Sequence, residues 1–212
     1  MICPICQKRK AKRFCPAKAA TICAICCGTE REVTIDCPSD CAFLIASRRH
    51  YEEEHILKRD RPFPDEDIHW SVVEKHEQLF IDMSYVVCEF AAANPSIVDS
   101  DVEAVYKALA ETYQTLAKGV LYENPPAYPL QRELYNQLRD VVHKYKGKQS
   151  SGLVAVTGIG DSQVRDALIM FTQLAAGRSN GRPKGRAFID SIRSQFKPGT
   201  FDQPASRIIL AP

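Results

Sequence analysis

Eight cysteines fall within the first forty-one positions of this chain: Cys3, Cys6, Cys15, Cys23, Cys26, Cys27, Cys37 and Cys41. Thiolates at Cys-x2-Cys spacing can converge on one tetrahedral ion at about 2.3 Å, and two such pairs close a structural zinc site with no open position. Eight sulfurs are enough for two ions. The rival use of so many thiols is a disulfide framework, which requires an oxidising compartment. The chain opens Met-Ile-Cys-Pro-Ile-Cys with no apolar leader for export, so metal binding in the cytoplasm is the expectation.

Spacing divides the thiols into two sets. Cys3 with Cys6 and Cys23 with Cys26 make a zinc-ribbon-like group, which leaves Cys15, Cys27, Cys37 and Cys41 as a second, interleaved group. The run from Cys3 to Cys26 resembles the B-box zinc finger and, more loosely, the HIT and MYND fingers, all small treble-clef-like or cross-brace modules. The resemblance covers about a fifth of the chain. It departs from the B-box pattern at Lys18, where that family has an Asp or Cys ligand, and at Cys37 and Cys41, which stand where it usually has histidines. Cys27 is the candidate to complete the second site, with His50 as the alternative. Protein contacts, which B-box and HIT fingers commonly mediate, are what the resemblance implies; it supplies no substrate.

The elements that must carry this module come next. With 212 residues, 45% hydrophobic and 25% charged, the chain has room for one sizeable core and a small appended domain. No apolar run is long enough to cross a bilayer. The fold class expected is mainly α, a small N-terminal double-zinc module followed by an α-helical bundle. The domains expected are a cysteine-rich module over 1–47, a linking helix and proline-rich boundary over 48–64, a bundle over 65–177, and a basic loop, short helix and apolar tail over 178–212.

A first helix begins near Cys41 with Asp40 available as its cap, drawing on Phe43, Leu44, Ile56 and Leu57, and Arg-Pro-Phe-Pro at 61–64 ends it. Apolar residues then recur at helical spacing from Asp67 to Ala92, with Val72, His76, Leu79, Phe80, Met83, Val87 and Phe90 on one stripe. Ser100 and Glu103 predict a capping box opening a third helix, with a stripe from Val102 to Val120. A fourth helix carries Leu134 to Tyr145. A fifth follows Asp161 and ends at Gly177. The segment Leu153 to Asp161 has the look of strand, glycine turn and helix start, but it has neither a third glycine nor a Lys-Ser or Lys-Thr pair, so a plain connector or short edge pairing is expected rather than a nucleotide site. Phe188, Ile192 and Phe196 suggest a last short helix, followed by the apolar Ile208, Ile209 and Leu210. Cys88, in an apolar helical pattern, is expected to act as a small buried hydrophobe.

The formal charge of +2 is unevenly placed. Residues 1–47 carry seven Lys and Arg against four acids, residues 178–212 carry seven against two, and the middle is net acidic by six. Two basic stretches are candidates for nucleic-acid phosphates: Lys8, Arg9, Lys10, Lys12 and Arg13, and then Arg182, Lys184 and Arg186. A Zn(Cys)4 centre carries a formal charge of about −2, so part of the first stretch serves to offset sulfur charge. Arg49 and His55, with five residues between them, fit the loose Arg-x4-6-His motif of HEPN-type ribonucleases, in which histidine is the general base and arginine stabilises phosphate charge. His69, His76 and His143 are lone histidines with no partner at catalytic spacing.

The function expected is therefore a non-enzymatic adaptor, with zinc as structural cofactor and a protein as partner. A nucleic-acid-binding regulator and a HEPN-like ribonuclease are the alternatives. A forty-residue segment with few large apolar residues cannot fold on burial alone, whereas structural zinc contributes roughly 10 to 16 kcal/mol of apparent binding free energy.

Overall fold

The structure, a computed structural model, describes residues 1–55 (52–55 as backbone alone), 62–66, 69, 71–146 and 158–201. Among these residues the fold is mainly α. An antiparallel hairpin, β1 (Arg13–Cys15) and β2 (Ala20–Ile22), leads into α1 (Ala24–Glu30). Seven more helices follow: α2 (Ala42–His55), α3 (Ser71–Lys75), α4 (Glu77–Ala93), α5 (Asp99–Leu116), α6 (Pro129–Lys146), α7 (Asp161–Arg178) and α8 (Ala187–Arg193). Among the described residues, no helix is long and apolar enough to cross a membrane.

The core lies where the helical stripes face one another. α5 and α7 form the most extensive pair, α4 packs on α6 and α8, and α6 also lies against α5. Small residues buried on the two central helices, Ala110, Ala167 and Ala175, are of the kind that lets helix axes approach closely. An aromatic column crosses this core. Phe80 stacks on Phe171 at 4.9 Å, Phe171 on Tyr106 at 4.8 Å, and Phe188 meets the edge of Tyr106 at 6.4 Å. Burial of each such side chain contributes about 1.5–3 kcal/mol, which makes this column and its neighbours the main support of the bundle. Cys88 is buried here, and burial pushes its thiol up to about 12, as expected for a sulfur used as a hydrophobe.

Several boundaries differ from those the periodicity suggests. The stripe from Val72 to Phe90 belongs to two helices, because His76 leaves helical geometry (φ −131°, ψ 35°) between α3 and α4. α5 begins at Asp99 rather than at Ser100, and the Asp101 carboxylate, not Glu103, accepts from the Val98 amide at 3.1 Å. Val120 lies beyond the end of α5 and is 57% exposed, so it is no part of the stripe. α7 runs one residue past Gly177. Positions 56, 57, 153–157 and 208–210 lie outside the described residues, and with them the end of the linking helix, the strand-like segment and the apolar tail. The glycine turn before α7 has a packing explanation at Gly158: a Cβ there would stand 2.7 Å from the Lys146 carbonyl oxygen at the end of α6. Lys146 and Asp161 then pair as ions across the same junction.

The cysteine-rich segment is fastened to the bundle through one residue above all. Glu32 is buried, with a left-handed backbone (φ 52°). Its carboxylate accepts from Arg48 at 2.7 Å and from the Asn180 amide at 2.5 Å, and its carbonyl accepts from the Lys184 amide at 2.8 Å. Arg48 also donates to Asp190 on α8 at 2.6 Å. Three separate stretches of sequence therefore meet at one buried carboxylate.

Candidate metal centre

The first cysteine pair sits in a tight knuckle. An isolated antiparallel bridge between Ile2 and Lys10 closes the loop, the Cys3 amide donates to the Arg9 carbonyl at 2.8 Å, and the Gln7 amide donates to the Cys3 carbonyl at 2.8 Å. Gln7 takes the left-handed conformation (φ 52°) that the reversal needs. The second pair sits where β2 gives way to α1. Cys23 is the N-cap, its sulfur accepts from the Cys26 amide at 3.4 Å, and Cys26 lies in the first turn.

These two pairs converge. The sulfurs of Cys3, Cys6, Cys23 and Cys26 all lie within 4.8 Å of one another, and Cys6 Sγ stands 3.9 Å from Cys23 Sγ. Four ligands at about 2.3 Å from a tetrahedral ion are about 3.8 Å apart, so the donor set fits a zinc-sized soft cation. The electrostatics point the same way. Amide groups of Lys8 and Arg9 bring the Cys6 thiol down to about 6. At Cys3, burial opposes ionisation, but amides of Cys6, Cys23 and Ile5 outweigh it and lower the pKa. Cys26 moves the other way, up to about 12, through burial and then the neighbouring sulfurs of Cys23, Cys6 and Cys3. Four sulfurs so close cannot all be anionic by themselves, and a divalent cation removes that conflict. Only two large apolar residues, Ile22 and Ile35, join the cysteines in the buried cluster of this segment. A metal ion held by the four sulfurs would take the place of a hydrophobic core here.

The second set is more open. Among the described residues, no three of the sulfurs of Cys15, Cys27, Cys37 and Cys41 come within the 4.8 Å that gathers the first four. Cys15 is buried and the others are half-buried. Burial raises the Cys37 thiol, the Glu32 amide opposes it, and the charges of Glu32, Cys15 and Cys41 add to the rise. Cys27 instead has an Arg31 nitrogen 3.6 Å from its sulfur. His50, the alternative ligand, lies exposed on α2.

The basic stretches are used unequally. Lys8, Arg9, Lys10 and Lys12 are exposed, whereas the Arg13 guanidinium covers the Phe43 ring at 4.8 Å. In the second stretch, Arg182 donates to the carbonyls of Gly28, at 2.9 Å, and Arg31, while Arg186 donates to those of Pro95 and Ala91 at 2.9 and 3.3 Å. Both arginines are engaged in holding the fold, and Lys184 contributes its backbone amide to Glu32. Glu32, Arg48, Asn180 and Asp190 were not marked by spacing as a group. Their shared role arises from contacts between positions up to 148 residues apart, for which the sequence offers no local signal.

No protein-family model, curated protein or solved structure matches the chain.

Proposed function

We propose that this protein is a non-enzymatic interaction adaptor whose N-terminal module is a double-zinc finger of cross-brace, B-box-like type. The observation that carries the proposal is the closed set of four converging sulfurs, Cys3, Cys6, Cys23 and Cys26. Four thiolates leave no coordination position for a reacting water, so such a centre holds a fold rather than performing hydrolysis. The order of a knuckle, a hairpin and a helix start around the site supports the treble-clef-like reading. A second ion is proposed at Cys15, Cys37 and Cys41 with Cys27 as its fourth ligand, its sulfurs drawing together on binding. Apolar side chains on the outside of the module, Ile2, Phe14 and Ile25 among them, favour a protein as the partner over a nucleic acid.

Metal analysis of the reduced protein is expected to give two zinc ions per chain. Cys6→Ser should remove one and Cys37→Ser the other. Capture of a partner should require zinc and be lost in Phe14→Asp; a metal-free chain that keeps its N-terminal fold would overturn the reading. The nucleic-acid alternative rests on the four exposed cations from Lys8 to Lys12, and salt-dependent retention on RNA that disappears when all four are replaced would favour it. Arg49 and His55 are six residues apart on the continuous α2, about 120° around a helix. Catalysis through this pair is left out of the proposal.

A further inference from the structure

A cavity of about 90 Å³ opens at the seam between the cysteine-rich segment and the bundle, apart from the sulfur cluster. Four arginines line it, Arg31, Arg48, Arg178 and Arg182, together with Glu32 and Asn180. The carboxylates nearby are already committed. Glu32 is held by Arg48 and Asn180, and Asp190 is held by Arg48. Among the described residues, no carboxylate lies within ion-pair distance of Arg31, Arg178 or Arg182.

Each guanidinium has five N–H donors in a planar fork, and the contacts made by these three leave donors over. Arg31 directs one nitrogen to the Cys27 sulfur, Arg178 one to the Ser191 hydroxyl at 2.6 Å, and Arg182 one to two carbonyls. The Nε of Arg48 is buried and meets no acceptor among the described residues. Positive groups gathered around one cavity repel one another, and a buried donor without an acceptor, as at the Arg48 Nε, is costly. One ligand class meets both demands. A tetrahedral oxyanion carries the missing charge, and its oxygens match arginine forks. A water needs about 10–15 Å³ of such space, so this cavity has room for an ion of several heavy atoms. Arg31 is buried and Arg178 exposed, which puts the open side at Arg178.

We infer that this cavity binds a phosphate-type oxyanion, free or as the phosphate of a small monoester, and that the bound anion ties the cysteine-rich segment to the bundle. The test is calorimetric titration of the zinc-loaded chain with inorganic phosphate and, separately, with glycerol phosphate, at an ionic strength held constant with chloride. Saturable binding of one ion per chain is expected, roughly tenfold weaker in Arg178→Ala and partly restored in Arg178→Lys. Arg178 is exposed, and the one polar contact of its side chain among the described residues is with Ser191, so the variant should keep its fold and any bound zinc. Binding of the ester alone would identify an esterified phosphate as the ligand, and binding of phosphate alone a free ion. Absence of saturable binding by either probe, or binding undiminished in Arg178→Ala, would overturn the inference.

Discussion

The guanidinium of Arg48 stands 2.7 Å from the carboxylate of Glu32, and both side chains are largely withdrawn from water, at 15% and 2% exposure. The same guanidinium reaches Asp190 at 2.6 Å. Burial opposes the charge on Arg48, but hydrogen bonds to Asp190 and Glu32 outweigh it and raise its pKa. One cation thus joins the loop after α1, the linking helix and the last helix of the bundle.

Removing that cation should therefore be severe. Arg48→Met leaves two carboxylates facing each other in a partly buried seam, an arrangement that costs about 3–5 kcal/mol when one partner of a buried pair is deleted. Urea unfolding followed by far-ultraviolet circular dichroism checks this. A loss below about 1 kcal/mol, the value of an exposed pair, would mean that the seam contributes little.

Asp99 should give an unusual pH dependence. It is buried at the start of α5 and accepts from the amides of Phe188 and Ile189 at 3.0 and 3.1 Å, capping α8. Burial raises its pKa to about 7 despite those hydrogen bonds. The folded state then binds the proton more tightly than the unfolded chain, so its contribution is fully present below about pH 4 and is lost as pH rises through about 7. The amount is a few kcal/mol at the most, since each tenfold gain in proton affinity is worth about 1.4 kcal/mol. In Asp99→Asn the stability deficit relative to the parent should shrink between pH 5 and pH 8. A constant difference across that range would refute the assignment, and comparing the two proteins cancels pH effects common to both, that of any bound metal included.

Tyr106 offers a substitution expected to do no harm. Its ring is fully buried between Phe171 and Phe188, yet its hydroxyl is buried without a hydrogen-bond partner among the described residues. Tyr106→Phe keeps the stacking and removes an unsatisfied polar atom, so stability to thermal unfolding should be unchanged or raised, by about 1 kcal/mol or more. A clear loss of stability would show that the hydroxyl has a partner that matters.

Thiol labelling separates the two halves of the molecule. In the zinc-loaded protein all nine cysteines should react slowly. A strong chelator should release the eight N-terminal thiols, because structural zinc supplies most of the folding free energy of such a segment, while Cys88 stays protected in the bundle until urea unfolds it. Fast labelling of Cys88 upon chelation alone would mean that the bundle depends on the metal.

What the sequence determined by itself was local and chemical. The Cys-x2-Cys spacing at Cys3 and Cys6 and at Cys23 and Cys26 named the four sulfurs that converge, because ligand spacing is a short-range geometric constraint. The apolar periodicity located the helices of the bundle for the same reason, since a repeat near 3.6 residues can be counted without knowing what it faces. Tertiary structure decided the rest. The break at His76, the use of Asp101 rather than Glu103 at the start of α5, and the inward turn of Arg182 and Arg186 depend on what lies alongside in space. Most of all, Glu32, Arg48 and Asp190 are ordinary surface residues when met in order along the chain. They become a partly buried charge cluster because packing withdraws them from water together, and that juxtaposition follows no repeat.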